Sequence, residues 1–151
     1  MLTIDLIQPR HIYAPDVVDK KLGHIYMPTS LISAGAILLN SGFNVNFYDE
    51  NITPKQKYRN ILGINLLGSP YIPIAIKIKD KLKELYNNDY ILFLGGQVVD
   101  GLRKNEIQKL FQNNNKTING NKFENIFNYF EIDPKYEKAE KLSFKDAYER
   151  I

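Results

Sequence analysis

The stretch from Pro28 to Asp49, PTSLISAGAILLNSGFNVNFYD, constrains the fold most, because it predicts a helix that is followed at once by a strand. The pair Thr29-Ser30 can cap the helix, apolar residues occupy nearly all of its sides, and Ser41-Gly42 ends it. From Phe43 to Tyr48, apolar and polar residues alternate as in a strand. Asp49 falls where that strand ends, and open α/β sheets bind their ligands at the carboxyl ends of their strands.

Five apolar runs alternate with helix-like segments along the chain. The predicted strands are Leu2–Ile7, Asn44–Tyr48, Ile61–Leu67, Tyr90–Leu94 and Lys116–Asn119. This alternation is typical of a doubly wound α/β fold, in which helices cover both faces of a parallel sheet.

Further helices are predicted between and after the later strands. A threonine and a proline at Thr53-Pro54 favour the start of a short helix that ends near Asn60. The longer helices show apolar residues at helical spacing, which we interpret as core packing. The side chains predicted to face inward are Ile74, Ile78, Leu82 and Leu85; Ile107, Leu110 and Phe111 within Leu102–Phe111; and Phe123, Ile126, Phe127 and Phe130.

Composition limits the classes of function. The 151 residues suffice for one domain, and 20 basic against 17 acidic residues, with scattered lysines, indicate neither a nucleic acid nor a membrane as partner. There is no cysteine, which excludes disulfides, thiolate-bound zinc and a cysteine-ligated iron–sulfur cluster in this chain. The N-terminal MLTIDLI is too short and too interrupted for a signal peptide or a membrane span, so we expect a cytoplasmic protein.

The predicted domain covers residues 1–130. From Glu131 to Ile151 the chain is rich in charge and is broken by Pro134, while Ser143 and Asp146 could cap one last short helix. We expect residues 131–151 to form a linker or an appended helix outside the core.

Several short segments at the predicted strand ends and helix starts are informative when they are considered together. In chain order they are Leu6–Pro9, Met27–Thr29, Ser41–Val45 with Asp49, Gly95-Gly96, and Ile118–Gly120 with Glu124. In this order and spacing they resemble the N-terminal cobalamin-binding domain of radical S-adenosylmethionine enzymes, over roughly residues 2 to 130. Singly, each segment would suit any doubly wound fold, whereas jointly they favour this family.

The resemblance implies a flavodoxin-like, Rossmann-like three-layer sandwich with a five-stranded parallel sheet of order 2-1-3-4-5. A ligand crevice would open at the carboxyl edge, where the first and third strands border the switch point. The cofactor-binding residues that the resemblance implies are Gln8, Pro9, Asp49, Gly68, Ser69, Tyr71, Gly95, Gly96, Gln97 and Gly120.

Each of these positions also has an interpretation without a ligand. Gly95-Gly96 would let a bulky corrin ring approach the backbone, but it also suits a tight turn after a strand. Ser69 could donate to the cofactor or cap a helix whose first residue is Pro70. Asp49 could contact the ring amides or lie in a solvated loop with Glu50 and Asn51, and Tyr71 could line the crevice or simply pack.

Neither histidine is expected to bind cobalt. Cobalamin-dependent mutases carry an Asp-x-His-x-x-Gly motif after the first strand, and this chain has Gln8-Pro9-Arg10-His11-Ile12 there. The departure agrees with the radical-enzyme branch, whose proteins usually supply no histidine to the lower face of cobalt. His11 and His24, which are 13 positions apart, are expected to be surface or loop histidines. Tyr13 and Tyr26 could line the crevice or simply pack.

Two other functions of this fold are excluded, because the residues that they need are absent from the sequence. A receiver domain needs an aspartate after the third strand, where this chain has Leu67-Gly68, and a flavodoxin needs a phosphate loop after the first strand. The resemblance implies a cobalamin-binding module, the detached or truncated N-terminal part of a methyltransferase-like radical S-adenosylmethionine enzyme. We expect it not to be catalytic alone, with the iron–sulfur cluster held by a barrel domain or barrel protein as its partner. The alternative is an interaction or regulatory module of the same fold that binds no cofactor.

Overall fold

The computed structural model describes residues 2–10, 29–50, 57–112, 116–121 and 123–131, with the backbone alone at 29, 30 and 123. It contains a five-stranded parallel sheet of order β2-β1-β3-β4-β5 flanked by helices, which is a flavodoxin-like α/β fold. The strands are β1 Thr3–Gln8, β2 Asn44–Asp49, β3 Ile61–Asn65, β4 Ile91–Gly95 and β5 Thr117–Asn119. The helices are α1 Thr29–Asn40, α2 Ile72–Tyr86, α3 Gln97–Asp100, α4 Lys104–Phe111 and α5 Phe123–Phe130, and a 3-10 turn covers Ser69–Tyr71. The predicted fold class and strand order are confirmed.

The chain divides into two compact units. The first contains β1, α1 and β2, and the second runs from β3 through α5. Several sequence predictions lie outside the described residues: those on His11, Tyr13, His24 and Tyr26, and the linker or appended helix of residues 132–151. Of the short helix predicted after Thr53, only residues 57–60 are described, and they are not helical.

In the first unit, β1 and β2 pair in parallel from Thr3 opposite Asn44 to Gln8 opposite Asp49. On one face of this pair, the Asn46 side-chain amide donates to Oδ1 of the buried Asp5 at 3.0 Å. On the opposite face, Phe47 is buried. Burial of a carboxylate is tolerated when it is hydrogen-bonded, as Asp5 is.

Close packing against Phe47 explains a glycine in the middle of α1. A Cβ atom added to Gly35 would lie 2.1 Å from Cζ of Phe47 and 3.3 Å from Cδ1 of Leu6. Glycine costs a helix about 1 kcal/mol relative to alanine. The tight approach of α1 to the sheet therefore requires Gly35 in spite of its low helix propensity.

We expect Gly35→Ala to destabilise the protein by about 1 kcal/mol, because overpacking of 1–3 kcal/mol is partly offset by the gain in helix propensity. Urea unfolding followed by circular dichroism would measure the difference. The matched variant Phe47→Leu shortens the ring that the new methyl group meets. The two substitutions together should therefore cost less than the sum of their separate effects, and simple additivity would contradict the packing explanation.

The buried face of α2 differs from the predicted stripe. Its buried residues are Ala75, Ile78, Lys79 and Leu82, which follow the spacing i, i+3, i+4, i+7, whereas Ile74 is half-buried and Leu85 is exposed. Leu85 lies in the last turn, beyond the covered part of the helix. Lys79 takes a place on the buried face and its ammonium pairs with Asp80 at 2.5 Å, as its long apolar stem allows.

The predicted inward side chains of α4 and α5 are confirmed only in part. In α4, Ile107 and Phe111 are buried four residues apart on one face, and Leu110, which points about 100° away from Phe111, is 41% exposed. In α5, Ile126 and Phe127 are buried and Phe130 is half-buried. The side chain of Phe123 is not described.

Aromatic contacts attach α5 to the sheet. The ring of Phe93 in β4 lies 6.1 Å from that of Tyr129 and 6.0 Å from that of Phe130, and the latter two rings meet edge to face at 4.9 Å. Such distances are in the favourable range for aromatic pairs. The contacts hold α5 beside the strands that carry the candidate site.

Candidate functional site at the carboxyl ends of the strands

The loop after β3 presents an exposed apolar surface. Leu66 still pairs with the sheet, since its amide donates to the Gly95 carbonyl at 2.9 Å, but the Leu67 side chain points outward and is 53% exposed. A Cβ atom on Gly68 would meet only Cδ of Pro70, at 3.6 Å. We call Leu67, Gly68, Ser69 and Pro70 the β3 shelf. It is open, and most of its side-chain surface is apolar.

The structure corrects the capping prediction for Ser69. This residue does not precede the helix: it is the first residue of the 3-10 turn Ser69–Tyr71, whose N-cap is Gly68, and no side chain caps that turn. The Tyr71 amide donates to the Gly68 carbonyl at 3.0 Å. Ser69 is exposed, whereas Tyr71 is 2% exposed and belongs to the core.

The double glycine after β4 has two different roles. Gly96 adopts a φ of +105°, and a Cβ atom there would lie 2.0 Å from the backbone oxygen of Leu66. Gly95 would meet only ordinary contacts, at 3.5 Å to Oδ1 of Asn121 and 3.6 Å to the Ile64 carbonyl. Gly96 is therefore required by the packing of the chain on itself, while Gly95 is not.

Asn121 ties the loop after β4 to the loop after β5. Its Oδ1 accepts from the Gly96 amide at 2.9 Å, and its Nδ2 donates to the Gly96 carbonyl at 2.7 Å and to Oδ1 of Asp100 at 3.0 Å. Its own backbone amide donates to Oδ1 of Asn119 at 2.9 Å. We call this set of bonds the Asn121 clasp. It fixes the start of α3, a four-residue helix absent from the sequence predictions.

The other two cofactor-binding residues predicted in the second unit, Gln97 and Gly120, follow the carboxyl ends of β4 and β5. Gln97 is the first residue of α3 and is exposed. Gly120 follows β5, and its amide donates to the Leu94 carbonyl at 2.7 Å. A Cβ atom on Gly120 would lie 3.0 Å from Cβ of Phe93, so this glycine also serves close packing.

In the first unit, the predicted site residues are covered. Gln8 and Asp49 form the last pair of the β1–β2 register, and each is 4% exposed. Pro9 is buried as well. The solvated-loop interpretation of Asp49 was wrong, because this residue closes a strand and the Glu50 amide after it donates to the Gln8 carbonyl at 2.9 Å.

A separate groove of about 550 Å³ opens beside β5, between α4 and α5. Its walls combine apolar side chains with the amides of Gln108, Asn119, Asn125 and Asn128. The Gln108 side chain donates to the Thr117 carbonyl at 2.9 Å, and that of Asn125 to the Asn119 carbonyl at 2.8 Å. No sequence prediction placed a site here.

Leu67 and Asn121 are the two residues that sequence reasoning missed. Leu67 stands at the end of the mostly apolar run Ile61–Leu67, so that it reads as part of the strand, and no pattern in the sequence signals its exposure. Asn121 lies between Gly120 and Lys122 in a polar loop. No pattern in the sequence signals its pairing with Gly96, 25 residues earlier.

Within the described ranges, no cluster of three or more histidine, cysteine, aspartate or glutamate side chains could hold a metal ion. None of the helices in the same ranges combines the length and the apolar character needed to cross a membrane.

Comparison with known proteins does not assign the chain to a family. The chain matches no protein-family model, no curated protein sequence and no solved structure.

Proposed function

We propose that this chain is a cobalamin-binding module of the kind that precedes the barrel in radical S-adenosylmethionine enzymes. The observation that carries the proposal is the β3 shelf, where Leu67 is 53% exposed beside Gly68, whose added Cβ atom would make a single ordinary contact, at 3.6 Å with Pro70. A corrin ring is broad and carries methyl groups and amide side chains. An exposed apolar residue beside a position free of a side chain suits such a ligand.

The residues of the second unit fit this cofactor in part. Gly68 would admit a large group close to the backbone, and the hydroxyl of Ser69 and the amide of Gln97, both exposed, would contact its polar substituents. Gly95 contributes less, because Oδ1 of Asn121 and the Ile64 carbonyl lie 3.5 and 3.6 Å from the position of its missing side chain. Gly96 does not count toward the fit, because its own chain fills the space that a side chain would take. The bound cofactor would supply a cobalt able to carry a methyl group.

The module would act with a partner. The chain contains no cysteine, so the cluster that cleaves S-adenosylmethionine would be held by a barrel domain or protein outside these 151 residues. The cobalt would receive no histidine from this chain. Gln8, Pro9 and Asp49 would support the fold of the first unit from their buried positions, and we assign direct contacts only to the exposed residues.

One observation favours the alternative of an interaction or regulatory module without a cofactor. Asn121 already occupies both backbone hydrogen-bonding groups of Gly96, which a ligand beside the double glycine would otherwise use. In that case the exposed Leu67 would contact another protein.

An absorbance titration with hydroxocobalamin, followed by gel filtration, tests the proposal. We expect the colour to remain with the protein near one equivalent, with a spectrum that lacks histidine coordination. The variant Gly68→Phe should abolish retention, because its ring would occupy the β3 shelf. A φ of 178° at this position is extended backbone that any residue adopts, so this variant should remain folded.

The matched control is Asn88→Phe, which adds the same ring at an exposed position in the turn before β4, at the amino end of the sheet. This variant should retain cobalamin like the unmodified chain. A colourless protein peak from the unmodified chain at micromolar concentration, corresponding to binding weaker than about 8 kcal/mol, would reject the cofactor and leave the interaction module. Equal retention by both phenylalanine variants would place the cofactor elsewhere.

A further inference from the structure

Side chains bond to the outward carbonyls of β5. This strand is the last in the sheet order and pairs only with β4 among the described strands. An edge strand normally presents backbone groups on which another strand can add. The groove beside β5 leads directly to this edge, since Thr117, Ile118 and Asn119 are among the residues that line it.

The direction of the β5 carbonyls follows from the pairing with β4. The Leu92 amide donates to the Lys116 carbonyl at 2.8 Å, and the Gly120 amide donates to the Leu94 carbonyl at 2.7 Å. Successive peptide groups of a strand point in alternate directions, so that residues 116, 118 and 120 face β4. The carbonyls of Thr117 and Asn119 therefore point away from the sheet.

Both outward carbonyls accept a bond from a side-chain amide. Gln108 of α4 donates to Thr117, and Asn125 of α5 donates to Asn119, at 2.9 and 2.8 Å. These donors take the positions that the backbone amides of an added strand would take. One comes from each helix that borders the groove, so the two ends of the short edge are both covered.

We infer that Gln108 and Asn125 block strand addition to β5, and that the partner they exclude is a second copy of this chain. A second copy presents the same edge, and two such edges can pair antiparallel about a two-fold axis, with each supplying donors and acceptors to the other. Tyr129, which lines the groove and is 40% exposed, adds apolar surface that such a pair would cover. The inference is independent of the proposed cofactor.

The test is the double variant Gln108→Met, Asn125→Leu, which keeps side chains of similar length and removes both donors. In sedimentation equilibrium we expect the unmodified chain to behave as a 17.5 kDa monomer and the double variant to approach twice that mass as its concentration rises. Hydrogen exchange of residues 116–120 should slow in the associated form. Asn128→Leu adds the same apolar group in the same groove, but among the described residues no hydrogen bond joins the Asn128 side chain to β5, so this control should remain monomeric.

A double variant that is folded by circular dichroism and stays monomeric at all concentrations would overturn the inference. So would association that leaves exchange at residues 116–120 unchanged, or equal association of Asn128→Leu. If the double variant does not fold, each single substitution opens one carbonyl and should associate more weakly but measurably. Monomeric behaviour of both folded single variants would then overturn it.

Discussion

Gly96→Ala should lower the free energy of unfolding by about 2–5 kcal/mol, a large effect for a single added methyl group. Two costs combine at this position. The φ of +105° is strained for a residue with a side chain, and the new Cβ atom would lie 2.0 Å from the backbone oxygen of Leu66. Backbone cannot move aside as the end of a flexible side chain can, so the turn after β4 would have to shift.

Two other glycines separate these costs. Gly42 has a φ of +100° with nothing within 4 Å of an added Cβ atom, so Gly42→Ala should lose only the conformational part, about 1–2 kcal/mol. Gly68 has extended backbone, and a Cβ atom there would make one ordinary contact, at 3.6 Å, so Gly68→Ala should cost nothing and can gain up to about 1 kcal/mol through the unfolded state. Urea unfolding of the three variants gives the comparison. Equal losses at Gly96 and Gly42 would show that contact with Leu66 is relieved at little cost.

Asn121→Ala should destabilise the protein by about 1–3 kcal/mol, because it removes the Asn121 clasp and leaves the amide of Gly96 without its bond to Oδ1. The loss should be local as well as global. Hydrogen exchange at the Gly96 amide should accelerate more than exchange in the centre of β4, since the start of α3 would open before the sheet does.

Two substitutions serve as controls for the clasp. Asn105→Ala also removes an asparagine that accepts one backbone bond, from Glu106 at 3.1 Å, but at an exposed site, and should change stability by no more than about 0.5 kcal/mol. Asp100→Ala removes only the exposed member of the clasp and should be similarly mild. If Asn121→Ala is as mild as these two, the clasp does not contribute to stability.

Strands β3 and β4 could be predicted from the sequence because buried parallel strands form nearly continuous apolar runs, which are visible without a structure. Strand β2 could be predicted from its alternation of apolar and polar residues. Each strand lies within about two residues of its prediction, and β3 ends at Asn65, earlier than the run Ile61–Leu67 indicates. The helix faces were harder to predict. Leu85 and Leu110 fit an apolar stripe and are exposed, while Lys79 is buried, because coverage by neighbouring elements decides which side of a helix is inside.

The candidate site was only partly predictable. Loops that follow buried strands are found from the strands themselves, which is why Gly68, Ser69 and Gln97 lie at carboxyl ends as expected. The burial of Gln8 and Asp49 could not be read from polar residues at strand ends. The sequence also does not show whether a glycine leaves space for a ligand or for another part of the same chain. At Gly96 the structure decides this, because the backbone of Leu66 fills the space that a side chain would take.

The bonds around Asn119 also bear on how the protein ages. An asparagine before a glycine deamidates readily when the glycine nitrogen can attack the side-chain carbonyl, and Asn119-Gly120 is such a pair. In the fold, the Gly120 nitrogen is held to Leu94 and the Asn119 side chain is held to the amide of Asn121. Folded protein should therefore resist this reaction, whereas chains stored unfolded should accumulate it, as peptide mass spectra would record. Deamidation would convert Asn119 into a carboxylate and so place a new negative charge at the edge of the sheet. The amount of deamidated Asn119 in a sample would then indicate how long its chains had been unfolded.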